Sequence, residues 1–433
     1  MFLKRIQLGL VHVAVAMTLV PINSTLNRVM IKELAISATL VAFLASLPYL
    51  FSPIQVWIGS YSDRHPVGGL RRTPYVALGL LLCVAGVIVS PQVVFLMAEN
   101  HWLGICAGLL AFGAWGMGFN LASVSYLAMA SEISGEKERG RTIAAMWFMM
   151  IIGIILTAIG ISRMVDPYSP VAMQSAFWIV GLIALGLGLV ALVRLEPRVI
   201  DFSGGETGTT WGQMIRTIVG NRQARLFFVY LLLLLAALLG QDILLEPFGG
   251  EAFDMPVEAT TLITAIWGGA TLLALIVAGI LEVRVNKRIV AQSGNLGALA
   301  GFVLITFSGL TSSRGLFFGG VLLLGAGTGL STVANLSLML DMTIAQQVGL
   351  FIGAWGMSNA LSRLTGALLA GAVRDLVTHL SGSAILGYVS VFAIEAVMLL
   401  AAVLMLKYIS VTTFKKQAEE LTIIEKAAAS TDG

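Results

Sequence analysis

The chain has 433 residues, of which 58% are hydrophobic and 11% charged, with a mean hydropathy of +0.92 and a formal net charge of +3. Soluble domains carry about 25% charged residues, and a soluble fold of this size could not hide so much apolar surface. Nucleic-acid binding, a secreted disulfide scaffold and intrinsic disorder are disfavoured together, which leaves an all-α polytopic membrane protein.

One crossing of a hydrocarbon layer roughly 30 Å thick takes about 20 apolar residues. The apolar runs are continuous, unlike the alternating segments of about 10 residues that build a membrane β-barrel. The pattern predicts twelve transmembrane helices, at about 6–31, 36–60, 73–97, 102–130, 142–163, 171–194, 224–246, 260–283, 290–311, 314–340, 346–373 and 384–408. The first run is long enough to span and reads as a membrane helix, not a cleaved signal peptide. Cys83 and Cys106 both lie in apolar runs, so no disulfide framework is implied.

The division is an N-terminal six-helix half at 1–194, a central loop at 195–223, a C-terminal six-helix half at 224–408 and a polar tail at 409–433. With the N-terminus cytoplasmic, 20 of the 26 Lys and Arg residues fall in cytoplasmic segments. The positive-inside rule then places both termini in the cytoplasm. In the loop, Trp211, Met214, Ile215, Ile218 and Val219 share one face of a helix, which suits an amphipathic segment lying on the membrane surface.

The halves echo each other. Gly116-Met117-Gly118 in the fourth span has a counterpart in Gly327-Thr328-Gly329 in the tenth, and Trp147 in Trp355. Both pairs are about 210 residues apart, a spacing that fits parallel repeats; the alternative is chance likeness between glycine-rich apolar helices. Two six-helix halves joined by a cytoplasmic loop form the layout of the major facilitator superfamily. The loop Gly59-Ser60-Tyr61-Ser62-Asp63-Arg64 with Arg71-Arg72 resembles that superfamily's loop signature. By that resemblance Asp63, Arg64, Arg71 and Arg72 form a conformational latch. The six-residue spacer is longer than usual, and a topology anchor explains the charges equally well.

Polar groups inside a bilayer are costly and mark candidate functional positions. The first span holds His12, Asn23, Asn27 and Arg28. At 100° per residue His12 and Asn23 lie about 20° apart and Asn27 within about 60°, while Arg28 lies roughly opposite, near the outer end. His12 is the one histidine inside a predicted span. Its neutral imidazole suits a metal, including the magnesium of a chlorophyll-type ring; a hydrogen-bonded packing role is the alternative. Asn120, Gln241, Asp242, Glu246 and Asn335 are further cavity candidates on the fourth, seventh and tenth spans. Amides there also stabilise helix contacts. Arg363 and Glu395 could neutralise each other as a buried ion pair, with a proton relay as the alternative. No Arg occurs at 102–130, which counts against ordinary drug/proton antiport, and no nucleotide loop, Cys/His metal cluster or nucleophile constellation supports an enzyme.

Three stretches go further: Ser24-Thr25-Leu26-Asn27-Arg28-Val29-Met30-Ile31, the loop from Ser62-Asp63-Arg64-His65 to Arg71-Arg72-Thr73-Pro74-Tyr75, and Gln241-Asp242-Ile243-Leu244-Leu245-Glu246-Pro247-Phe248-Gly249-Gly250-Glu251. Together they resemble the PucC/LhaA family, the bacteriochlorophyll-delivery branch of the superfamily. The resemblance implies a membrane assembly factor that delivers or handles (bacterio)chlorophyll for light-harvesting antenna complexes in the cytoplasmic or intracytoplasmic photosynthetic membrane. Antenna polypeptides, pigment and pigment-synthesis enzymes are the implied partners. A transporter of a small amphipathic solute and a pigment-free scaffold for antenna polypeptides stay open beside it. The Pro247-Phe248-Gly249-Gly250 string is expected to end its helix and turn the chain, with Phe248 packing inward to shape a gate or docking surface.

Overall fold

A computed structural model describes residues 2–197, 220–281, 284–343 and 348–414. They are almost entirely helical, and ten of the helices are long and apolar enough to cross a membrane. Large apolar side chains cover the outside: on Pro170–Leu192 alone, Trp178, Ile179, Leu182 and Ile183 are exposed. An apolar exterior is what a lipid solvent demands.

The first span begins as α1 (Phe2–Met17) and continues through two π-helical segments, Pro21–Leu26 and Val29–Glu33. Pro21 has no N–H to give the carbonyl four residues back, and that residue is Met17, the last of α1. Wider i→i+5 turns follow. They change the angle per residue, so the shared face inferred for His12, Asn23 and Asn27 from an ideal helix does not carry through the break.

The expected span 36–60 is three short helices: α2 (Ala38–Ala45), α3 (Leu47–Leu50) and α4 (Ile54–Arg64). Pro48 and Pro53 sit at the breaks. Next come α5 (Thr73–Glu99), α6 (His101–Met164) and α7 (Pro170–Leu192). The fourth and fifth expected spans are the two arms of α6, joined at Gly135, whose φ of 65° only glycine adopts without strain.

After the central loop, Asn221 caps α8 (Arg222–Gly240) by accepting from the Gln223 and Ala224 amides at 2.9 and 3.0 Å. A 3₁₀ turn (Gln241–Ile243) leads to α9 (Leu245–Phe253). The bundle finishes with α10 (Val257–Leu281), α11 (Lys287–Thr311), α12 (Arg314–Asp341), α13 (Val348–Ser381) and α14 (Ala384–Leu406). The predicted amphipathic stretch 211–219 and most of the predicted tail lie outside the described residues.

Lipid tails are as apolar as leucine, so helices here associate by close packing, not by a hydrophobic drive. Backbone-to-backbone crossings through glycine follow. A Cβ on Gly79 of α5 would stand 2.7 Å from the Gly118 carbonyl of α6, and one on Gly294 of α11 would stand 2.9 Å from the Gly327 carbonyl of α12. The core holds Phe227, Phe248, Phe302, Phe317, Phe392 and Trp355, all buried.

Candidate functional site

The polar links described between residues 2–197 and 220–414 gather toward the end of the bundle away from the N-terminus. Thr25 meets Thr261 at 3.2 Å, and Ser162 donates to the Glu258 carbonyl at 2.8 Å. Lys32 pairs with Glu251 at 3.0 Å. Asp375 of α13 accepts from the Ser37 and Thr39 hydroxyls and from the Ala38 and Thr39 amides, all within 3.1 Å. It thereby caps α2 from the other side of the seam. At the N-terminal end the polar links run within each group instead, as in Arg72 with Glu132 and Lys287 with Asp341. The bundle is drawn together at the far face.

Arg28 sits at the centre of that closure. It is buried, and its guanidinium donates to Glu33 at 2.7 Å and to the Met255 carbonyl at 3.2 Å. Its planar head lies against α9: a Cβ on Gly250 would fall 2.2 to 2.5 Å from it. This corrects the expected role of the Pro-Phe-Gly-Gly string. The chain does not turn there. Pro247 lies in the first turn of α9, where its missing N–H costs nothing, and the helix continues to Phe253. The turn falls at Asp254, in the left-handed conformation. The glycine serves close approach. Phe248 packs inward as expected, against Phe253, Phe317, Tyr388 and Phe392 at 5.1 to 5.7 Å between ring centres. Glu246, also buried, accepts from the Thr264 hydroxyl.

Deeper in the seam, Arg363 reaches Tyr49 at 3.1 Å and Asp242 at 3.9 Å. Gln241 donates to Asp242 at 2.7 Å. The expected Arg363–Glu395 pair is therefore not formed. The 3₁₀ turn after Gly240 brings Asp242 to Arg363 instead, and neither Glu395 oxygen has a hydrogen-bond partner among the described residues.

Two cavity candidates are structural clamps. Asn120 donates to the Pro48 carbonyl at 2.7 Å and to Gly116 at 2.8 Å, and accepts from Gln55. It satisfies the backbone that the broken second span leaves free. Asn335 accepts from the Tyr230 hydroxyl at 2.6 Å and donates to Ser331, while Asn295 donates to Tyr230 at 3.0 Å and accepts from Ser331 at 2.7 Å. Every member of this ring is paired, so it binds α8, α11 and α12 to one another and offers nothing free to a ligand. Tyr230 and Asn295 were missed in the sequence; only their partners mark them.

His12 is elsewhere. Its ring lies 5.0 Å from Tyr126 and edge-on to Trp147 at 5.8 Å. Neither ring nitrogen bonds to a described residue, and Nδ1 is enclosed. Trp147 is 49% exposed, so the imidazole lies one side chain below the molecular surface. Asn23 and Asn27 are linked to each other, Asn27 donating to the Asn23 carbonyl at 3.2 Å. At the N-terminal face, Arg72 is buried and binds Ser62 at 2.7 Å and Glu132 at 2.8 Å, while Glu196 accepts from the backbone of residues 71–73. Arg64 is exposed, and the Asp63 side chain lies outside the described residues.

This is the fold of major-facilitator-type membrane transporters. The structure superposes on a nucleoside transporter, NupG, with a TM-score of 0.70 at 14% identity, covering 94% of this chain and 99% of that one. It superposes on a D-xylose–proton symporter with a TM-score of 0.73 at 16% identity, covering 95% and 99%. The family model described as PUCC protein matches residues 25–414, and the chain belongs to that family. Relatives include Protein PucC of Rhodobacter capsulatus, 31% identical over 92% of this chain and 90% of that protein. Protein PucC of Cereibacter sphaeroides is 30% identical over 91% and 89%. A protein named Bacteriochlorophyll synthase 44.5 kDa chain, from Rhodobacter capsulatus, is 26% identical over 93% and 94%.

Proposed function

We propose that the chain is a non-enzymatic membrane factor that handles (bacterio)chlorophyll during assembly of light-harvesting antenna complexes. Family membership across residues 25–414 carries the reading, together with the relative named as a bacteriochlorophyll synthase chain. On this reading antenna polypeptides and pigment-making enzymes are its partners. Its place is the photosynthetic membrane, with the N-terminal face cytoplasmic. His12 supports the reading. An imidazole with no hydrogen-bond partner among the described residues, beside two aromatic rings and just below the surface, fits a flat pigment whose central magnesium takes a nitrogen ligand.

The test is pigment extraction and absorption of the protein purified in mild detergent from its phototrophic host, beside a His12→Ala variant. Stoichiometric pigment that falls at least severalfold in the variant supports both handling and the ligand. Pigment retained in the variant keeps handling and removes His12 from it. Antenna polypeptides copurifying with no pigment would turn the reading into a scaffold.

The likeness to nucleoside and sugar transporters favours one second reading, transport of a small amphipathic solute. Substrate-dependent flux into pigment-free liposomes would establish it.

A further inference from the structure

Glu395 lies on the face of α14 that meets α8 and α13. The residue is 4% exposed, and among the described residues both carboxyl oxygens lack a hydrogen-bond partner. It borders a small void of about 10 Å³, walled otherwise by apolar groups including Ala236, Gly366, Ala370 and Met398. A void that size admits about one water molecule. It has no room for the several oxygen ligands that a metal cation requires. A carboxylate in such surroundings is poorly stabilised, whereas a neutral carboxylic acid is not.

The neighbouring polar groups complete the arrangement. The elements around it carry Arg222, Arg225 and Tyr230 on α8, Asp242 on the 3₁₀ turn, Glu246 and Glu251 on α9, Lys287 and Arg288 on α11, Arg363, Arg374, Asp375 and His379 on α13, and Tyr388 on its own helix. Of these, Asp242 follows Gly240 by two residues and Arg363 precedes Gly366 by three, and both glycines border Glu395. Asp242 and Arg363 keep 32% and 30% of their side-chain surface exposed, so they lie closer to the molecular surface than Glu395 does. A Cβ on Gly240 would stand 3.0 Å from Glu395 Oε1, so α8 presses its backbone directly against the carboxyl.

We propose that Glu395 is a proton-binding site built into the bundle, its ligand a single proton exchanged through the less buried Asp242–Arg363 pair. Binding adds a proton to the carboxylate and release returns it, with no other reactant. The charged form needs a cation or a donor that the present packing of α8, α13 and α14 does not offer. Loss of the proton therefore favours a looser arrangement in which Arg363 reaches Glu395. This is independent of the cargo.

Dicyclohexylcarbodiimide, an apolar reagent, tests the site on the purified full chain. It adds to a protonated carboxyl: the acid proton moves to a reagent nitrogen, and the carboxyl oxygen bonds to the central carbon. Peptide mass mapping is expected to find the adduct on Glu395 at neutral pH, with labelling falling at least tenfold as the pH is raised. Asp242→Asn should bring that fall to lower pH, because it removes the neighbouring negative charge and frees Arg363. Infrared spectra should lose one neutral-carboxyl carbonyl band in Glu395→Gln. Adducts on other carboxyls with none on Glu395 would overturn the proposal, as would a carbonyl band unchanged in folded Glu395→Gln. If that variant fails to fold, the wild-type adduct map decides alone.

Discussion

Arg28 enters the far-face closure as a buried charge whose head fits only because α9 offers no side chain at residue 250. Its fork is shared between Glu33 and the Met255 carbonyl, and losing either leaves a charge poorly matched. Gly250→Ala places a methyl inside the space of the guanidinium. Overpacking of that kind costs about 1–3 kcal/mol, read as a lower unfolding midpoint in detergent. In an Arg28→Ala background the same substitution should cost much less, because the clash is gone; additive costs would show that the two residues do not touch. Phe248 follows a different rule. Four aromatic rings surround it, and truncating a buried phenylalanine costs about 3–5 kcal/mol. A lost function in Phe248→Ala therefore counts as a gate effect only where protein level and stability are held.

At the scale of elements, the bundle's breaks are stabilised by side chains from neighbouring helices. The broken second span depends on Asn120, whose two donor bonds take the Pro48 and Gly116 carbonyls. Asn120→Leu leaves the Pro48 carbonyl without that donor, at a cost of about 1–3 kcal/mol, and thermal unfolding measures it. The ring of Tyr230, Asn295, Ser331 and Asn335 is the contrasting case. Interhelical hydrogen bonds in membranes average about 0.6 kcal/mol, so Tyr230→Phe should shift stability by roughly that amount and leave any ligand binding intact. Asp375 caps α2 across the seam and lies beyond the end of the span predicted at 346–373. Burial opposes its charge, yet the Thr39 amide, the Ser37 and Thr39 hydroxyls and Arg374 together hold its carboxyl below the usual range. A depressed value means the contribution is full above the unfolded-state value and is lost as pH falls through the folded one. Acidification should loosen this contact, and Asp375→Asn should remove most of the pH dependence. Hydrogen exchange of the Ala38 and Thr39 amides reads both.

For the whole molecule, the question is whether the far face opens. Lys32 and Glu251 face each other across the seam at 3.0 Å. In a background with Cys83 and Cys106 replaced by serine, Lys32→Cys with Glu251→Cys should be joined by a bis-thiol-reactive cross-linker that replaces the length of the two side chains and carries a cleavable disulfide. If function requires the far face to open, cross-linking should reduce pigment handling or flux at least tenfold, and reductive cleavage of the linker should restore it. Full function in the cross-linked protein would mean that opening at this face is not needed. Proton binding at Glu395 would bias the same equilibrium, because the groups it involves lie on the elements that meet along the seam.

The sequence by itself determined the solvent and most of the secondary structure. Twenty-residue apolar runs with so few charges fit only a bilayer, and run length placed most of the larger helices to within a few residues, although the span predicted at 346–373 continues to Ser381. The strings around Arg28 and Glu246 marked the family before any contact was known. Periodicity assumes ideal helices, however, and it failed where a proline or a π turn changes the angle per residue: His12 separated from Asn23 and Asn27, and the second span fell into three. Pairing was decided by tertiary structure alone. Arg363 chose Asp242 over Glu395 because the 3₁₀ turn after Gly240 moves that carboxyl into reach. Gly249 and Gly250 read as a chain turn, yet they lie inside a helix, Gly250 against Arg28, because a missing Cβ serves close approach as well as a turn. Asn120 and Asn335 read as cavity residues for a similar reason: an amide's type reveals that it needs partners, and only the packed neighbours reveal that it already has them.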